Sequence, residues 1–184
     1  MSRIPYADPT GLSDAKQKML KLVPANVMRM MANASDPVFE GFAALSSGFM
    51  GADSPLPPKL REIAILRVGY LSNAAYETFQ HEALARHVGL SDAQIVAIKT
   101  GGAAAAALGE AGAAVLAFTD DLVKNVRAGD ETLAAVREHL DDTQLVDLIL
   151  VTGLYMMVSR FLETTGVEID DSSIEWKRIT PAEA

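Results

Sequence analysis

The chain contains no cysteine. Disulfides, thiolate metal sites, cysteine nucleophiles and thiol redox pairs are therefore excluded. A basic surplus is also missing: 16 Lys and Arg stand against 24 Asp and Glu, for a formal net charge of −8. Binding to nucleic-acid phosphates needs a basic face, so no nucleic acid is expected as a partner. No apolar run is read as approaching the ~20 residues of a membrane span, so no membrane partner is expected either. The opening "MSRIPYADPT" has no apolar signal segment. Together these absences lead to the expectation of a cytoplasmic protein. Aromatics are few, at 6%, and strand-like alternation is scarce.

What remains is apolar and helical. Apolar residues make up 49% of 184, enough for one well-buried core and short for two domains. Pattern and alanine content predict an all-α, single-domain bundle of about eight helices over residues 1–184. Residues 1–10, with Pro5 and Pro9, read as an irregular arm, and 167–184 as an irregular tail. Helices are predicted after Ser13, from Pro24, after Ser35 or Asp36, over Lys59–Leu71, over Asn73–Val88, after Ser91, over Glu110–Val126, after Asp130, and from 141 to Gly166. "AAAAALGE" reads as a loop or short helix. Residues 143–162 are apolar around much of their circumference, and such a helix must be surrounded by the fold or by another subunit. A homo-oligomer is therefore expected.

The stretch "YETFQH" sets Glu77 and His81 four residues apart. On a helix that spacing puts both on one face, about 6 Å apart at Cβ. A carboxylate beside an imidazole raises the pKa of the histidine and fixes its tautomer, so the pair can hold or move a proton near neutral pH. The same spacing also describes two polar residues on a solvated face. Glu62, in "LREIAILRVG", sits among good core residues one helix earlier. It reads either as an acid facing that pair or as a solvated first-turn acid favoured by the helix dipole.

The segment "LREIAILRVGYLSNAAYETFQHEALARHVGLSDAQIVAI" resembles the carboxymuconolactone decarboxylase family, which includes the AhpD-like alkylhydroperoxidases. The likeness is good over residues 57–126 and looser elsewhere. It rests on Glu62, His81 and Gly89-Leu90-Ser91. The peroxidase branch carries a Cys-x-x-Cys where this chain has Ala74 and Glu77. Thiol-based peroxide reduction is thus chemically impossible here. The decarboxylase branch is similar to this chain in having a glutamate four residues before the histidine.

The resemblance implies an AhpD-like bundle, assembled as trimers or hexamers with a dimer as the fallback. It also implies a cofactor-free lyase of aromatic-compound catabolism, acting by decarboxylation or lactone processing on a small carboxylated ring. In that reading His81 donates the proton, Glu77 orients it, and Glu62 acts as relay or base. Arg67 and Arg160 are candidates for binding a substrate carboxylate, each also readable as an ion-pair partner. Tyr76 and Tyr155 are candidates for lining the pocket, as are Met156 and Met157, which also suit plain core. His87 and His139, near helix C-termini, read as structural or solvated. Trp176 reads as a cap on a pocket or a subunit contact. Two alternatives stay open: an Fe²⁺ or Mn²⁺ enzyme using Glu62, Glu77 and His81, and an oligomeric binding protein without catalysis.

Overall fold

A computed structural model describes residues 1–175 of the chain; Trp176 lies outside the described residues. Among these the architecture is all-helical and contains no strand. The helices are α1 (Asp14–Leu22), α2 (Asn26–Met31), α3 (Asp36–Met50), α4 (Pro58–Leu71), α5 (Ala75–His87), α6 (Asp92–Thr100), α7 (Gly109–Asn125), α8 (Asp130–Arg137) and α9 (Asp142–Thr165). Short 3₁₀ turns occupy Pro9–Gly11 and Gly102–Leu108, so the alanine run is a short helix. The expected arm is docked: Arg3 N–H donates to Thr165 O at the end of α9.

Helix α4 is the hub, packed on α5, α6, α7 and α9. Its residues Ile63, Ala64, Ile65, Leu66 and Val68 are all at most 2% exposed. No polar stripe runs along "KLREIAILRVG", so the helix cannot lie on a surface and must be surrounded. Each large apolar side chain buried there stabilises the fold by about 1.5–3 kcal/mol. A second, smaller apolar cluster of Met28, Met31, Ala32 and Phe39 joins α2 to α3.

Tight ends set the register of the helices. Asn73 takes φ 53°, a left-handed conformation that asparagine tolerates better than most residues. It turns the chain sharply, so α5 runs back along α4. Helix α5 closes with Gly89 at φ 92°; Gly89 N–H donates to Arg86 O and Leu90 N–H to Ala85 O. This pairing satisfies the last carbonyls of the helix and needs glycine at its left-handed position. Ser91 with Gln94, and Asp141 with Gln144, form reciprocal caps at the starts of α6 and α9.

Five predicted starts differ, those of α4 and α7 by a single residue, at Pro58 and Gly109. Helix α2 begins at Asn26 rather than Pro24, because residues 24 and 25 remain extended. Helix α5 begins at Ala75, after the left-handed Asn73. Gly129, not Asp130, is the N-cap of α8; Gly129 N–H is taken by the Asp121 carboxylate from α7.

The expectation about spans also needs correcting. By length and composition alone, α9 and the 102–125 stretch are each apolar enough to cross a membrane. In this fold half of the α9 window is buried among other helices. The rest shows as an exposed stripe of Val146, Ile149, Leu150 and Met157.

Candidate active site

The tight α4–α5 turn brings Glu62 and His81 face to face. The two helices approach closely at Gly69, where a Cβ would lie 3.0 Å from Thr78 Cγ2 and 3.2 Å from Glu77 Cγ. Glycine there lets α5 sit deep against α4 and sets the height of Glu77.

Glu62 is fully buried, and one of its oxygens, Oε2, lies 2.7 Å from His81 Nδ1. Its other oxygen accepts from Arg61 Nε at 3.1 Å. Arg61 is 1% exposed and also donates to Phe49 O at 2.8 Å, while its Nη2 has no partner. On the far side of the ring, His81 Nε2 lies 3.5 Å from Glu77 Oε1. That oxygen is buried and makes no hydrogen bond. Tyr155 presents its ring edge-on to His81, with centroids 4.9 Å apart, and its hydroxyl contacts Met50 Sδ at 3.7 Å.

This geometry exchanges two expected roles. Glu62, not Glu77, holds the imidazole: its contact is short, buried and itself anchored by Arg61. Glu77 stands at hydrogen-bonding reach only loosely and is itself 2% exposed. The spacing within α5 suggested a self-contained pair, but the ring turns toward α4.

The electrostatics follow from burial. Desolvation pushes the Glu77 carboxyl up, opposed by His81 and aided by Glu62, and it reaches about 7. Burial works against a charged His81 ring and so does Arg61. Contact with Glu62 and the nearness of Glu77 outweigh them and raise the pKa above its ordinary value. Burial and the two carboxylates push the Tyr155 hydroxyl well up, so it stays neutral. The site therefore holds two groups, Glu77 and His81, able to carry a proton around neutrality.

Both groups floor a pocket between α1–α3 on one side and α5 and α9 on the other. It encloses about 880 Å³ of atom-free space, its open mouth included. Its walls are mostly apolar, with Val27, Met28, Phe42, Leu154, Val158 and Ile174 among them. Tyr76, Glu77, His81 and Tyr155 all line it.

Two predicted residues lie elsewhere. Arg67 does not reach the pocket. Its Nε and Nη2 donate to the two carboxylate oxygens of Asp120 of α7, and its Nη1 donates to Ile98 O and Lys99 O at 2.9 and 3.0 Å. Arg160 is exposed, folds back on Met156 O at 2.7 Å, and lines a separate surface hollow with Arg3 and Glu163. Neither is placed to meet a substrate at Glu77. Among the described residues no three His, Asp or Glu side chains are grouped as metal ligands.

Residues 36–120 match the carboxymuconolactone decarboxylase family. That segment, a little under half of the chain, is similar to the family. Solved structures share the fold. A peroxidase-related protein with an alkylhydroperoxidase AhpD core, from Ralstonia eutropha JMP134, superposes with a TM-score of 0.77 at 21% identity, covering 92% of this chain and 93% of that one. An AhpD-like protein from Agrobacterium tumefaciens gives 0.66 at 22% identity, covering 76% and 94%. A cysteine-to-alanine variant of the debrominase Bmp8, in complex with 2,3,4-tribromopyrrole, gives 0.71 at 12% identity, covering 93% and 95%. No curated protein matches in sequence. Within this fold, two contributors carry no clear signal in the sequence. Arg61 anchors Glu62, and Asp170 of the tail accepts from Tyr76 Oη and from Gln80 Nε2, the latter at 2.9 Å. A charge flanked by core residues on both sides was the available signal for Arg61. Nothing in the tail pattern pointed to Asp170.

Proposed function

We propose that this chain is an enzyme that moves protons to and from a small ring compound without a cofactor. The observation that carries this reading is the buried Glu62–His81–Glu77 line at the floor of an open, apolar pocket. A buried carboxyl raised to about 7 lowers the stability of the fold near neutral pH. Such groups cluster where chemistry needs them. A group titrating near the working pH is also the best placed to act as general acid or base.

In this reading Glu77 is the pocket-facing acid or base. His81, fixed through Nδ1 by Glu62, supplies positive charge beside it. A proton leaves the carbon next to a ring carbonyl and forms an O–H bond on Glu77. The C–H electron pair moves onto the carbonyl oxygen, giving an enolate. The His81 cation stabilises that negative charge. Return of the proton to the same or a conjugated carbon completes the cycle with no net change in atoms. Decarboxylation, the reaction in the family's name, ends with the same kind of protonation at carbon. The Bmp8 complex with tribromopyrrole supports a ring-sized ligand in this fold; thiol chemistry is excluded by the absence of cysteine. The pocket alone would also serve a binding protein, but a binder gains nothing from an ionisable carboxyl held out of water.

The test is a turnover screen with carboxymuconolactone and a set of ring lactones, following CO₂ release, lactone opening and double-bond shift separately. Turnover by the wild type, lowered ~10²–10⁴-fold in His81→Gln, is expected. Equal rates in both proteins would overturn the reading.

A further inference from the structure

The pocket supplies a second, finer statement, which rests on the proton-transfer reading: what kind of ring it accepts. Its polar lining groups are few, and most are engaged. The Tyr76 hydroxyl donates to Asp170 and accepts from Val27 N–H at 3.2 Å. Gln80 donates to Asp170 at 2.9 Å and accepts from Ile174 N–H at 2.8 Å. Asp170 also accepts from Asn26 N–H at 2.9 Å. The tail from 168 to 174 thus straps across α5, and Ile174 adds an apolar wall while its backbone occupies Gln80. At the floor, Glu77 Oε1 remains as a buried acceptor without a hydrogen bond, beside His81 Nε2.

Charge is balanced before any ligand arrives. Arg61 lies against Glu62, and His81 lies between Glu62 and Glu77. Among the described residues the lining contains no lysine and no arginine. The two arginines that a carboxylate would need, Arg67 and Arg160, are engaged elsewhere. A carboxylate entering this cavity would add an unpaired charge to apolar surroundings, which is strongly unfavourable. An uncharged ring with one carbonyl group, set against the Glu77–His81 pair, matches the few polar lining groups and the apolar walls.

We infer that the substrate is an uncharged, largely apolar ring compound bearing one carbonyl group set against the Glu77–His81 pair, not a ring carboxylate. The reaction this selects within the proposed function is a proton shift along a conjugated ring carbonyl. The proton leaves one carbon for Glu77 and returns to another, the double bond moving with the electron pair, and no carbon dioxide is lost.

The experiment is calorimetric titration of the full chain at pH 8 with a matched pair: an unsaturated γ-lactone and the same ring carrying a carboxylate. Binding of the uncharged lactone at least about 100-fold tighter is expected, the scale set by burying an unpaired carboxylate. Ser46→Arg, at a half-buried residue of the pocket lining, is expected to narrow that ratio by admitting the carboxylate. Equal or tighter binding of the carboxylate to the wild type, or binding of neither ring, would overturn the inference. Deuterium exchange into the bound lactone separates the two proposals. Selective binding without exchange in the wild type would overturn the proton-transfer reading and leave the ligand class standing. Exchange into the carboxylated ring with tight binding would do the reverse.

Discussion

Replacing Glu77 by glutamine should stabilise the protein while removing its chemistry. Glu77 is 2% exposed, and one of its oxygens has no hydrogen bond. Its carboxyl titrates at about 7 in the fold against 4.5 in solvent. The folded state therefore binds this proton more tightly than the unfolded chain. The stability this contributes is complete below pH 4.5 and is lost as pH rises through about 7. The difference between those two values corresponds to about 3 kcal/mol, at about 1.4 kcal/mol per tenfold. Glutamine imitates the neutral acid at every pH. At pH 8, Glu77→Gln should be more stable than wild type by up to about 3 kcal/mol, or roughly 6–12 °C in Tm for a chain of this size. At pH 4 the two should melt together. Thermal unfolding of both proteins from pH 4 to 8 measures this directly. A gap that is absent at pH 8, or that widens as pH falls, would refute the placement of Glu77 as a desolvated carboxyl.

Other perturbations separate structure from chemistry. Glu62→Gln leaves Arg61 buried without its anion and should lower stability in urea unfolding by about 3–5 kcal/mol. It should also bring the His81 pKa, followed by NMR, back down. Arg67→Met deprives the Ile98 and Lys99 carbonyls and Asp120 of their partner. Unfolding should show a loss of about 2–4 kcal/mol, with turnover per folded molecule unchanged. Val146, Leu150, Gly153 and Met157 repeat at alternating spacings of four and three along the exposed side of α9, the spacing of a helix-pairing seam. Sedimentation at micromolar concentration should show an assembly that Leu150→Lys weakens; a monomeric wild type would contradict self-association through this face.

Much of the fold was legible because local chemistry agreed with tertiary packing. Gly89 and Gly166 end their helices with positive φ, and Ser91 caps the start of α6 as expected. The starts of α2 and α8 were less legible. At α8 the cap is a backbone donor satisfied by Asp121, a residue of the preceding helix, and no local pattern encodes that partner. The site residues divide in the same way. The i, i+4 spacing placed Glu77 and His81 on one face, whereas local pattern left Glu62 open between a buried and a solvated acid. The roles of the two acids depend on which way the ring turns, and that is set by the α4–α5 approach at Gly69. Arginines 67 and 160 carried the expectation of an anion site because charge reads alike in sequence whether it meets a ligand or an aspartate. The strap from 168 to 174 joins α5 across about 90 residues of chain, beyond any periodic signal.

The account stands on Glu77 and His81 moving a proton at a ligand's carbon. Deuterium incorporation from D₂O into a bound unsaturated lactone, read by NMR for the wild type, His81→Gln and Glu77→Gln, tests this most directly. Incorporation by the wild type, reduced ~10²–10⁴-fold in both variants while lactone binding persists, is the predicted result. No incorporation by the wild type, or equal incorporation by all three, would contradict it.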